Sequence, residues 1–520
     1  MIEGYSRQLS VVAGETVELC CSGIGPMSVE VLRDGAGLES VWRSDRVEVG
    51  VQATPPGAAQ VGCGWVPTLE IPVDDAWRSG QYLVRMVGPE GVASLASFVV
   101  RPVVAQRAGA VLVLSTSTWN AYNDWGGANL YEGAKTVSFD RPWCRGYLDR
   151  PDEPAGRHAR VGPVADTDST GARGYLARHG LTSRCIEAGW VSWERRFVRW
   201  AEGRGWRIDV AQSTDLHRDP STLDGYDTYL SVGHDEYWSG EMRDTVESFV
   251  ARGGNAAFLS GNTAFWQVRF EGDSMIGHKY EAPWTDPVIG TPAEATMTGM
   301  WSDPLTGRPE NEMTGVSFSR GGYVRFGDAV PNGSGGYTVW RPHHWVFDRC
   351  ELRYGDLFGT TNVIVGYEAD GCALRWVDGL PQPTGEDGTP TQLEVLATSP
   401  AHLWSSTPDG GVELPPHQGH SPDLPADLEY VAFRLFGTMS RESSKRITAG
   451  SAVLATFQRE GGGTVFTVGC TDWAHGLEPD PDATVARITD NVLARFGAVR
   501  RPVGTPGPEE APADEPGGPA

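Results

Sequence analysis

The sequence predicts an α/β protein: a doubly wound core with insertions, preceded by a small antiparallel β-sandwich of the immunoglobulin-like kind. Three observations carry this expectation. Residues 1–104 alternate short apolar runs with Gly/Pro turn signals. The texture changes at Arg101-Pro102-Val103-Val104. Beyond that point strand-like and helix-like runs alternate, the pattern of a parallel sheet with crossover helices.

The elements follow in order. In the first region Gln8–Val12, Val17–Cys20, Val29–Leu32 and Ser94–Val100 read as short strands. The continuous apolar run Ala110–Ser115 reads as a buried parallel strand. Val191–Trp200 has helical periodicity, and Trp206–Ala211 and Tyr226–Val232 read as strands. A helix at 239–252 ends at Gly253-Gly254, and the strand Ala256–Ser260 follows. Residues 270–430 mix β-like runs with Gly/Pro turns and are expected to be insertions on the sheet. The core closes with Gly463–Gly469 and a helix at 482–496. The expected domains are therefore 1–104 and 108–498, with 499–520 a disordered acidic tail rich in Pro, Gly, Glu and Ala.

Composition narrows the function. With 520 residues, 40% of them hydrophobic and 21% charged, the chain can bury a sizeable core. A net charge of −24 argues against a nucleic-acid partner, which would need a basic face. The only lysines are Lys135, Lys279 and Lys445, so Schiff-base chemistry has few candidates. No signal-peptide pattern opens the chain and no run approaches a membrane span. Eight cysteines without a CxxC pattern fit reduced thiols. The expected compartment is the cytoplasm.

Ligand sites in doubly wound sheets lie past the carboxyl ends of the strands. Three such ends carry unusual residues: Ser115–Gly127 with Tyr122, Gly233–Trp238 with His234 and Glu236, and Ser260–Trp266 with Asn262. Acidic residues ahead of a helix also serve as caps, and the aromatic residues also suit a structural core. A nucleophile elbow is not matched at Ser260. Cys470 follows a strand with His475 nearby, but nothing lowers its pKa. Metal chemistry fits better, with His234, Glu236 and Tyr122 converging on one cation. A phenol, with a pKa of about 10, ionises at neutral pH only beside a hard, strongly Lewis-acidic ion, and ferric iron meets that condition best.

These residues resemble the large (beta) subunit of N,N-dimethylformamidase. The resemblance runs from 108 to 498 through ordered motifs: Thr118–Gly127, Val137–Pro142, Val232–Trp238, Leu259–Asn262, Arg308–Asn311, Gly366–Gly371 and Gly469–Ala474. It implies a glutamine-amidotransferase-like core without that family's cysteine. It also implies a mononuclear ferric iron held by two tyrosines and a glutamate. Carried over by residue, Tyr122 is the first tyrosine ligand and Glu236 the carboxylate ligand. His234 and Asn262 orient substrate or ligands, and Glu368 handles the proton. The family's Asp-Arg-Pro run closes with tyrosine, whereas this chain has Trp143, whose indole can only donate. Tyr147, four residues on, is the substitute on offer.

The resulting expectation is iron-dependent hydrolysis of the C–N bond of a small linear, formamide-like amide. The alternatives are a catalytically degenerate scaffold, which Trp143 supports, and a carbohydrate-binding protein using the amino-terminal sandwich. The resemblance also allows for a small accessory subunit and an oligomer of this chain.

Overall fold

The computed structural model describes residues 1–151, 172–324, 333–403, 427–438 and 440–500. The acidic tail expected at 499–520 lies outside the described residues from 501 onward; Val499–Arg500 instead form a short strand against Trp206-Arg207.

The amino-terminal region forms two sheets. Glu3–Ser6, Thr16–Ser22 and Pro67–Pro72 make a three-stranded sheet, and five strands make the other. The five run in the order Ser10–Val12, Ala93–Arg101, Gly80–Val87, Gly25–Asp34 and Leu38–Val49. Alternate side chains face inward, so Val17, Leu19, Val29, Val31, Val84 and Phe98 share one apolar core. Among the described residues the strand Leu38–Val49 is a free edge, and it carries Glu39, Arg43, Asp45, Arg46 and Glu48.

This region is tied firmly to the rest of the chain. The buried Arg33 guanidinium reaches Glu202, with one contact at 3.1 Å. The Trp190 indole donates to Asp34 at 2.8 Å, and the Ser79 hydroxyl accepts from the Val210 N–H at 2.9 Å.

The larger region is built on a ten-stranded sheet, and here the expected doubly wound α/β core is corrected. Five central strands are parallel: Thr464–Thr467, Asn255–Gly261, Thr228–His234, Ala110–Leu114 and Trp206–Gln212. On one flank the sheet continues antiparallel through Gly450–Gln458, Glu394–Ala401, Tyr337–Val339 and Leu357–Phe358. Val499–Arg500 closes the other edge, also antiparallel. Strand outweighs helix among the described residues, and smaller sheets surround the main one. Segments expected as insertions between 270 and 430 thus supply strands of the main sheet. The cause is physical: an apolar run such as Val395–Ala397 marks a buried strand without encoding its direction.

Helices Glu194–Gly203, Gly240–Ala251 and Ala483–Arg495 pack on the sheet. Ser239 caps the second, its hydroxyl accepting from the Met242 N–H, and Asp482 caps the third through Thr484 and Val485. A short helix, Thr116–Tyr122, follows the strand Ala110–Leu114 directly and is buried throughout. Outside the main sheet, Glu368–Gly371 pairs antiparallel with Ser317–Tyr323. Among the described residues no helix is long and apolar enough to cross a membrane.

Candidate active site

The site gathers at the carboxyl ends of the central parallel strands. The strand Ala110–Leu114 feeds the helix that ends on Tyr122. The strand Thr228–His234 delivers His234 as its last residue, with Glu236 two residues on. Gly233 has φ of +84°, and a Cβ there would lie 2.4 Å from Trp193, so only glycine lets Trp193 close on His234. The strand Asn255–Gly261 delivers Asn262, and Glu368 arrives from the separate strand Glu368–Gly371.

Tyr122 donates to Glu236 Oε2 at 2.8 Å. A second phenol, Tyr131, completes the group. Its Oη lies 2.5 Å from Tyr122 Oη and 3.1 and 3.0 Å from the two Glu236 oxygens. Tyr237 donates to Tyr131 at 2.8 Å. Burial, and then the charge of Glu236, push both Tyr122 and Tyr131 well above the usual phenol range.

His234 joins this group to Glu368. Its Nδ1 lies 2.8 Å from the Glu187 carbonyl oxygen, which can only accept, so Nδ1 carries the proton. Its Nε2 lies 2.8 Å from Glu368 Oε2 and 3.3 Å from Glu236 Oε2. These are ionic contacts without the alignment of a hydrogen bond. Burial opposes the imidazolium, but the charge of Glu368 and contact with both carboxylates raise its pKa well above the ordinary value. Glu368 is pushed up by burial, with Glu236 adding to the effect and His234 opposing it. Burial also acts on Glu236, but contact with His234, and then Lys279 and Tyr122, outweighs it and holds that carboxyl below its usual value. Asn262 donates from Nδ2 to Glu368 Oε2 at 3.2 Å.

Two basic side chains flank the second phenol. Lys279 Nζ lies 2.9 Å from the Tyr131 ring centre and has no hydrogen-bond partner among the described residues. Burial brings Lys279 down to about 7 despite the nearby carboxylates. The Arg184 guanidinium carbon lies 5.1 Å from the same ring centre and is ion-paired to Glu187 at 2.9 Å. The pocket between these groups is lined with Phe265, Phe318, Tyr280, Tyr323 and Tyr367 beside the polar side chains. Asp427 also faces it and accepts from Tyr280.

The structure thus brings Tyr122, His234, Glu236, Asn262 and Glu368 together, and it does not bring Trp143 or Tyr147 to them. Trp143 packs against Trp119 and Tyr147, with ring centres 5.9 and 6.4 Å away. The Tyr147 hydroxyl is buried with no hydrogen-bond partner among the described residues. The Asp-Arg-Pro run has a structural task here: Arg141 is buried and donates to the carbonyls of Asn120, Asn123, Trp125 and Ser138. It holds the turn that follows Tyr122. Sequence reasoning missed Tyr131, Lys279 and Arg184. Lys279 is one of only three lysines, and that rarity was the available sign. Cys470 is fully buried, and burial pushes its thiol up, which removes it as a nucleophile.

Among the described residues no group of three His, Cys, Asp and Glu side chains is arranged to hold a metal ion. The donor set here is different: two phenols and one carboxylate, all hard oxygens, converging in a buried site. The set suits a hard trivalent ion such as ferric iron, and the residues present fit it.

Residues 28–486 match the family model described as N,N-dimethylformamidase beta subunit-like, C-terminal. The chain is 24% identical over 319 residues to the N,N-dimethylformamidase beta subunit of an Alcaligenes species. It is likewise 24% identical over 321 residues to that of Paracoccus aminophilus. Each match covers 58% of this chain but 36% of the relative, so the chain matches little more than a third of either relative's length.

Proposed function

The chain belongs to the N,N-dimethylformamidase beta subunit-like family, and on that premise we propose that it hydrolyses the C–N bond of a small linear amide. The observation that carries this proposal is the convergence of the Tyr122, Tyr131 and Glu236 oxygens beside His234 and Glu368.

Tyr122, Tyr131 and Glu236 would hold a mononuclear ferric iron. A bound ion of this kind supplies Lewis acidity toward the amide carbonyl. The remaining chemistry belongs to the chain. Glu368 takes the proton of the attacking water at a carboxylate oxygen and returns it to the departing amine nitrogen. Its raised pKa suits both halves of that exchange. His234, fixed by the Glu187 carbonyl, holds the Glu368 and Glu236 carboxylates in register. Asn262 anchors Glu368 and orients the substrate. Phe265, Phe318 and Tyr367 exclude water and favour a small, apolar acyl or N-alkyl group. The relatives carry the name beta subunit, so a second, different subunit is the proposed partner.

Metal analysis and visible spectroscopy of the purified chain test this, with formamide hydrolysis measured alongside. The expected result is stoichiometric iron with a phenolate-to-iron charge-transfer band, both lost in Glu236→Ala together with activity. Colourless, metal-free protein, or a Glu236→Ala variant as active as the parent, would overturn it.

A further inference from the structure

The motif Gly366–Gly371 supplies two carboxylates, and the proposed chemistry uses only Glu368. Asp370 lies two residues on, so both side chains leave the same face of the strand, and both are buried. Both reach one turn. Glu368 takes the Asn262 side chain, while Asp370 takes its main chain: the Asn262 N–H donates to Asp370 Oδ1 at 2.9 Å and the Thr263 N–H to Oδ2 at 3.0 Å.

That turn needs holding. Asn262 has φ of +49° and Ala264 of +55°, so two side-chain-bearing residues within three sit in the left-handed region. Such a conformation persists only where its surroundings over-determine it. Here the Ala264 N–H donates to the Asp235 carbonyl at 2.8 Å, and Gly261 packs where a Cβ would lie 2.5 Å from the Thr471 nitrogen. Asp370 adds two restraints on consecutive N–H groups, beside the contact of the Thr263 hydroxyl with Ser260 Oγ at 2.9 Å. Its side chain does not line the cavity, and its two hydrogen bonds bear on the reaction through Asn262 and its turn.

We propose that Asp370 is a positioning residue: by accepting both N–H groups of the left-handed turn it fixes the Asn262 carboxamide against Glu368. The kinetic part of this inference rests on the amide-hydrolase proposal, and the structural part does not. Asp370→Asn keeps the shape but sets an NH₂ group against one of the two N–H donors.

The test combines hydrogen exchange with kinetics on the full chain. In Asp370→Asn, exchange in peptides spanning Gly261–Ala264 should rise by at least about 10-fold while the central strands stay protected. Iron content should not change. The kcat on a formamide should fall by about 10- to 100-fold with KM held within about twofold. The same substitution in an Asn262→Ala background should cost nothing more, because its effect runs through Asn262. If Asp370→Asn fails to fold, Asn262→Gly should rescue it, because glycine adopts this φ unaided. Unchanged exchange, additive kinetic losses or failed rescue would each overturn the inference. A parent protein without amidase activity but with the expected exchange pattern would sink the proposed reaction and leave the clamp standing.

Discussion

Tyr131 Oη sits 2.5 Å from Tyr122 Oη, and both phenols reach the carboxylate of Glu236. As neutral groups they share hydrogen bonds around that carboxylate. Burial and the charge of Glu236 hold both far from ionising, so only a strongly charged cation would convert them to phenolates. The pair is therefore poorly suited to giving up a proton near neutral pH. Tyr147, the substitute expected beside Trp143, has no part in it.

This contrast gives a direct comparison. Tyr131→Phe should weaken iron binding by more than about 100-fold and shift the charge-transfer band, because an oxygen donor is lost. Tyr147→Phe should leave iron content and spectrum unchanged. Equal iron in the two variants would separate Tyr131 from the metal site.

Glu368 is expected to act on the proton and not on the metal. Glu368→Gln should lower kcat by about 10²–10⁴-fold, the usual range for losing a general acid–base group. Iron content should match the parent. Loss of iron in this variant would reassign Glu368 to the donor set.

Glu194 offers a prediction about stability. Burial, against a hydrogen bond from the Trp119 indole at 3.1 Å, pushes its carboxyl up from 4.5 to about 8. The folded chain thus holds this proton more tightly than the unfolded one. That contribution is complete below about pH 4.5 and is lost as pH climbs toward 8. Its size is on the order of a few kcal/mol. Glu194→Gln keeps an acceptor for Trp119 and removes the titration. Urea midpoints at pH 5 and pH 8 should therefore differ less in the variant than in the parent.

Arg33 and Glu202 join the amino-terminal sheets to the large region, and both side chains are largely buried. Arg33→Ala leaves the Glu202 carboxylate without its partner, at a cost of about 3–5 kcal/mol. The denaturation midpoint should fall accordingly. A change under about 1 kcal/mol would mean that water reaches Glu202 and screens it.

Much of this architecture could be read from the chain, and the failures have definite causes. The strand Ala110–Leu114 announced itself as a continuous apolar run, and the strands at 228–234 and 255–261 were legible as shorter strand-like runs in the β/α alternation. His234, Glu236 and Asn262 were singled out because ligand sites form at strand ends. Strand direction was not readable, so the three antiparallel strands of the main sheet between 270 and 430 were taken for insertions. Tyr131 was missed because it lies in an irregular loop between Gly127 and Lys135, where no periodicity marks it. The search for a second phenol followed the Asp-Arg-Pro run instead, where Arg141 proves to hold a turn. Asp370 stood in view beside Glu368, but what it does depends on a backbone conformation 106 residues from Glu368 in sequence, at Asn262.

The free edge strand Leu38–Val49 bears on how copies of this molecule behave near one another. An unpaired edge offers its N–H and C=O groups to any extended segment that approaches. Here Glu39, Arg43, Asp45, Arg46 and Glu48 would each have to shed water before another strand could pair. The net charge of −24 adds repulsion between copies at a distance. Edge-to-edge aggregation is thus opposed twice, by local desolvation and by long-range charge, and only the second weakens as salt is added.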